Sequence, residues 1–150
     1  MRRAIALSRE TSQAGTGGPF GAVIARGGAV VAEGWNQVVS SNDPTAHAEV
    51  VAVRRACAAL GTFNLSGCEV YTSCEPCPMC LGAIHWARID RIWFANDRHD
   101  AAAIGFDDEI LYREITRPLT ERATPIKQMM RAEAHDVFEQ WASTPGRVMY

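Results

Sequence analysis

The sequence predicts a three-layer αβα sandwich, an α/β domain with a mixed central sheet and helices on both faces. Three observations predict it: strand-like and helix-like segments alternate, a diglycine separates two apolar runs near the N-terminus, and one long helical pattern is apolar almost all round. Residues 1–14 set Ile5 and Leu7 among Arg2, Arg3, Arg9 and Glu10, an amphipathic helix that stops at Gly15. Residues 20–25 and 29–32 follow as strands, and Gly27-Gly28 between them supplies the positive φ of a tight hairpin turn, so the two should be antiparallel neighbours. Residues 40–44 read as a polar loop, and residues 46–60 as a helix of good helix formers that ends at Gly61. Apart from Arg54 and Arg55 that helix is apolar, which predicts burial. Residues 68–72 form a strand, 77–88 a second long helix and 89–95 another strand; this alternation implies parallel pairing. A turn at Gly105-Phe106-Asp107-Asp108 precedes a short helix over 109–115 and a helical pattern over 129–141, giving the order α-β-β-α-β-α-β-α-α. Trp35, Trp86, Trp93 and Phe94 are expected in the core, with a pocket wall as the other reading of Trp86.

With 150 residues, 47% hydrophobic and 21% charged, the chain suits one folded domain over 1–150 and excludes a disordered or fibrous class. Fifteen Lys and Arg against seventeen Asp and Glu, net charge -2, leave no basic field for a polyanion, so a small molecule is favoured over nucleic acid as the partner. No apolar run approaches the roughly 20 residues of a membrane span, and the N-terminal residues lack a signal-peptide core, which predicts a soluble, cytoplasmic protein without a membrane partner. The 5 cysteines are odd in number, and Cys74, Cys77 and Cys80 crowd into one short stretch, so a disulfide framework is excluded in favour of reduced thiols and a metal. Cys57 and Cys68 read as core residues.

Two clusters carry chemistry: Thr45-Ala46-His47-Ala48-Glu49 and Cys74-Glu75-Pro76-Cys77-Pro78-Met79-Cys80, each at the start of a helix. Cys77 and Cys80, three apart on a first turn, can point to one side, where the helix dipole and free amides favour thiolates. Two thiolates and the imidazole of His47 suit zinc and leave the fourth tetrahedral position to water, the pattern of a catalytic site. Glu49, two residues after His47, is placed to reach that water as a general base. A structural zinc site or a redox Cys-x-x-Cys is the competing reading, and Cys74 is either a further ligand or an outer neighbour.

His-x-Glu followed by Pro-Cys-x-x-Cys is the signature of zinc deaminases. On residues 41–49 and 71–84 the chain resembles the cytidine-deaminase-like superfamily. Within it, Gly105-Phe106-Asp107-Asp108 makes the chain similar to the small bacterial guanine deaminases, over nearly the whole length from Gly18 to Tyr150. The resemblance implies one zinc per subunit on His47, Cys77 and Cys80, and hydrolysis of guanine to xanthine and ammonia by a zinc-activated hydroxide attacking C2, with Glu49 as proton shuttle. It further implies a purine held by Asn36, Phe20, Ala48, Trp86, Asp108 and Tyr150, and a homodimer in which a segment of about 117–150 swaps between subunits. Asp108 would accept from the adjacent N1-H and amino donors of guanine, with Asp107 as its alternative, while Asn36 could instead be a strand-end turn residue. Guanosine, an aminotriazine such as ammeline, or tRNA adenosine are alternative substrates, and a silent zinc-binding scaffold is the non-enzymatic alternative.

Overall fold

The computed structural model describes residues 1–150, which form two units, residues 1–108 and 109–150. The first unit is built on four strands in the order β2-β1-β3-β4, where β1 is Gly21–Arg26, β2 Ala29–Trp35, β3 Cys68–Cys74 and β4 Arg91–Asn96. Gly27 and Gly28, at φ 56° and 81°, turn the β1–β2 hairpin as their lack of Cβ allows. β1 is antiparallel to β2 and also to β3, whereas β3 and β4 are parallel across the helical crossover. The sheet is therefore mixed, and β1 lies between its hairpin partner and β3.

Alternation along the strands sorts the two faces. Ala22, Ile24, Cys68 and Val70 face one core with Ala48, Ala52 and Ala56 of α3 (Ala48–Leu60) and Ile84 of α4 (Pro78–Trp86). Val23 and Tyr71 face the other side, against Ala4 and Leu7 of α1 (Arg2–Gln13). These are the three layers. Gly34 sets the depth of α3 on the sheet: a Cβ there would collide with the Ala48 carbonyl and stand 2.6 Å from the Ala52 amide. No helix is long and apolar enough to cross a membrane.

Several expectations are corrected. α3 is buried over Ala48–Ala52 and at Ala56, while Arg54, Arg55, Ala58 and Ala59 face solvent, so only one side of it is covered. Its alanines make the exposed side look apolar in sequence without filling a core. Two helices are added: α2 (Val38–Ser41), partly in the stretch read as loop, and α5 (Arg98–Ala103), fixed by a capping box between Asp97 and Asp100. Trp86, Trp93 and Phe94 are 68%, 47% and 49% exposed rather than core, because no layer of the first unit covers β4 or the end of α4.

The second unit holds α6 (Glu109–Thr116), a 3₁₀ turn over Leu119–Glu121 and α7 (Arg131–Ser143). None of these elements buries a residue.

Candidate metal centre and active site

Both clusters sit at helix starts. His47 is the N-cap of α3 with extended backbone (φ -67°, ψ 155°), and Cys77 is the N-cap of α4 (φ -62°, ψ 166°), followed by Pro78 at the first helical position, where a missing N–H costs nothing. The approach to His47 is fixed by Asp43, whose carboxylate accepts from the Thr45 amide at 2.8 Å and the Thr45 hydroxyl at 2.6 Å. At the other end β3 delivers the cysteine loop, and Glu75 pins it by donating its amide to the Asn96 carbonyl at 2.8 Å and accepting from the Arg98 amide at 3.1 Å.

These supports bring His47, Cys77 and Cys80 together so that their ligand atoms lie within 4.8 Å of one another. His47 Nδ1 is 3.5 Å from Cys80 Sγ and 3.7 Å from Cys77 Sγ. The Cys80 hydrogen bond, reinforced by His47, pulls the Cys77 thiol down to about 4, while the same bond, burial and nearby Glu49 push Cys80 up. His47 is raised by its hydrogen bond to Cys77. Two thiols and an imidazole at one point fit the borderline-soft, tetrahedral preference of zinc. Cys74 stands outside the trio: its Sγ donates to the Asp97 carbonyl at 3.6 Å, and burial pushes its thiol up to about 11.

Glu49 lies in the first turn of α3 and is only 6% exposed. Cys80 Sγ donates to its Oε2 at 3.4 Å, so the carboxylate adjoins the metal donors without joining them. Burial raises its pKa. Asn36 is buried, and its carboxamide oxygen accepts from the Gly18 and Val38 amides at 3.4 and 3.3 Å, which fixes the side chain through its oxygen and leaves the NH₂ end for other partners. Asp108 closes the first unit; burial and then the charge of Cys77 raise its carboxyl, which places it in electrostatic reach of the trio. Ala48 is buried directly after His47, and Trp86 is the exposed last residue of α4. Tyr150 belongs to the second unit, where it is exposed.

Two residues escape sequence reasoning. Phe106 packs edge-on against Phe20, with ring centroids 4.9 Å apart and planes at 87°. It sits inside the quoted Gly105–Asp108 motif, but nothing in the motif says which aromatic it meets. Thr72, fully buried on β3, donates to Glu49 Oε1 at 3.1 Å. The available signal was a hydroxyl on the buried face of a strand otherwise lined by Cys68, Val70 and Cys74.

Known proteins place this geometry. Residues 1–96 match the cytidine and deoxycytidylate deaminase zinc-binding region. The chain is 51% identical over its full length to guanine deaminase of Bacillus subtilis, covering 96% of that protein. The solved structure of the Bacillus subtilis guanine deaminase superposes with a TM-score of 0.96 at 51% identity, over 99% of this chain and 95% of that one. A structure solved in complex with 2,6-diaminopurine superposes at 0.67 with 37% identity, over 71% of this chain and 60% of that chain. The tRNA-specific adenosine deaminase of Agrobacterium fabrum is 46% identical over 86 residues, 57% of each chain. A zinc-type donor trio beside a buried glutamate, and a match that runs the length of both chains, lead to one conclusion: the chain belongs to the cytidine and deoxycytidylate deaminase family of zinc enzymes, in its guanine deaminase branch.

Proposed function

We propose that this protein deaminates guanine hydrolytically to xanthine and ammonia. The observation that carries the reading is the placement of Glu49 against Cys80 in a corner that also holds His47 and Cys77, within a chain whose full-length relative is a guanine deaminase. His47, Cys77 and Cys80 would hold one zinc ion per chain. That ion would supply Lewis-acid activation of a water, bringing its pKa toward neutrality. Glu49 takes one proton of the attacking water as its oxygen bonds to C2, and gives it to N3, so that the C2=N3 double bond becomes single. It then moves the remaining hydroxyl proton to the exocyclic amine; the C–N bond breaks, ammonia leaves and C2=O forms.

Substrate reading is assigned to the groups around the trio. Phe20 stacks along the purine, the Ala48 backbone and the Asn36 NH₂ hydrogen-bond its acceptors, and Trp86 and Tyr150 cover it. Asp108 accepts from N1-H and the amino group, with Asp107 as its alternative. Adenine would present an acceptor N1 to that carboxylate and be rejected. The bare apolar surface of residues 109–150 and of β4 supports a homodimer in which the C-terminal segment, from about 117, crosses to the partner.

Ammonia release from guanine, guanosine, cytosine and adenine, with zinc-loaded and EDTA-stripped protein side by side, tests the proposal. Zinc-dependent turnover of guanine alone is expected. Turnover of adenine in preference to guanine would discard the Asp108 assignment, and none on any base would return weight to a silent scaffold.

A further inference from the structure

We propose that Thr72 is a positioning residue for the Glu49 carboxylate, holding Oε1 so that Oε2 stays turned toward the metal donors. The inference rests on the proposed role of Glu49 as proton shuttle. Thr72 is completely buried in β3, where its backbone is paired with Ala22 of β1 on one side and Phe94 of β4 on the other. Valine would satisfy the same strand position and core face, and a buried hydroxyl is unfavourable unless it is bonded. The Thr72 hydroxyl is bonded to one group of consequence, Glu49 Oε1 at 3.1 Å. Glu49 Oε2 meanwhile faces Cys80 Sγ at 3.4 Å. The two oxygens are thus divided, one toward the sheet and one toward the metal-binding side.

This division answers a weakness of glutamate as a shuttle. Its terminal torsion is broad, so a carboxylate held at one end alone swings out of line with the water and ring nitrogen it must serve in turn. A threonine hydroxyl suits both stages of the cycle, because it donates to a carboxylate and, after rotating, accepts from a carboxylic acid. The β3 backbone anchors that hydroxyl far more firmly than a loop could.

The test compares Thr72→Val, Thr72→Ser and Thr72→Ala in the zinc-loaded full chain, alone and combined with Glu49→Gln. Thr72→Val is expected to lower kcat about 10- to 100-fold with KM for guanine and zinc stoichiometry little changed, and Thr72→Ser to restore most of the loss. In the Glu49→Gln background Thr72→Val should add almost nothing to the residual rate, since its effect runs through the missing carboxylate. A crystal structure of Thr72→Val should show the Glu49 carboxylate rotated or split between conformers, with His47, Cys77 and Cys80 in place. Unchanged kcat in Thr72→Val, an equal loss in the Glu49→Gln background, or loss of zinc alongside activity would overturn the proposal. If Thr72→Val does not fold, Thr72→Ala carries the same comparison. A wild-type chain that deaminates some other base defeats the guanine reading but not this one, and the series is then run on that base.

Discussion

Glu49 is buried and bonded at both carboxylate oxygens, by Thr72 and by Cys80. That makes its replacement a clean probe. Glu49→Gln keeps the shape but exchanges one acceptor oxygen for an NH₂ donor and cannot accept a proton, so kcat should fall about 10²- to 10⁴-fold while bound zinc, measured by metal analysis, stays near one per chain. Loss of the metal instead would make Glu49 a ligand. His47, Cys77 and Cys80 should behave oppositely: removing any one, or chelating the metal, abolishes turnover together with metal content and lowers the thermal midpoint, and for chelation both return on adding zinc. At Asp108, the isosteric Asn replaces one acceptor by a donor that faces the N1-H and amino edge. Asp108→Asn should therefore reduce kcat/KM for guanine about 10- to 100-fold, read from initial rates, with zinc content unaffected.

At the scale of elements, two helix N-termini meet over the carboxyl end of β3 and the amino end of its antiparallel neighbour β1, and how closely α3 approaches the sheet decides where His47 and Glu49 stand. Gly34 sets that approach, since any Cβ there meets the α3 backbone at Ala48 and Ala52. Gly34→Ala should cost about 1–3 kcal/mol in urea unfolding and weaken zinc retention, because α3 must lift and carry His47 with it. The same elements explain what the sequence reveals. The metal trio is legible because coordination chemistry restricts both residue type and spacing, and the hairpin is legible because Gly27-Gly28 admits few alternatives. α5 is not, since six residues with three alanines show no periodicity, and its start rests on an Asp97–Asp100 capping box that resembles any acidic turn. Thr72 is illegible for a related reason: within Cys68–Cys74 it alternates as a β-branched core residue should, and only the fold reveals Glu49 opposite its hydroxyl. Trp93 and Phe94 mislead through their size, because burial of an aromatic depends on a covering layer that β4 lacks within residues 1–108.

For the whole molecule the question is what covers that surface. Residues 109–150 expose Ile110, Ile115, Met129, Phe138 and Val148, and no helix among them buries a side chain, so the segment has no core to fold around by itself. In the first unit Trp86, Trp93 and Phe94 are exposed. The proposed exchange of the segment between two copies makes a prediction that a tail docked on its own chain does not. Glu49→Gln spoils a site but leaves its tail intact, whereas Tyr150→Ala spoils the tail and leaves the site intact. Co-expressed in equal amounts, the two inactive variants would form mixed dimers in about half of cases, each with one sound site covered by one sound tail. Activity should then recover to about a quarter of wild type per chain, beyond the sum of the separate variants, and should co-elute with a dimer on light-scattering chromatography. Activity equal to that sum, in a dimer fraction shown by mass spectrometry to contain both variants, would place each tail over its own site.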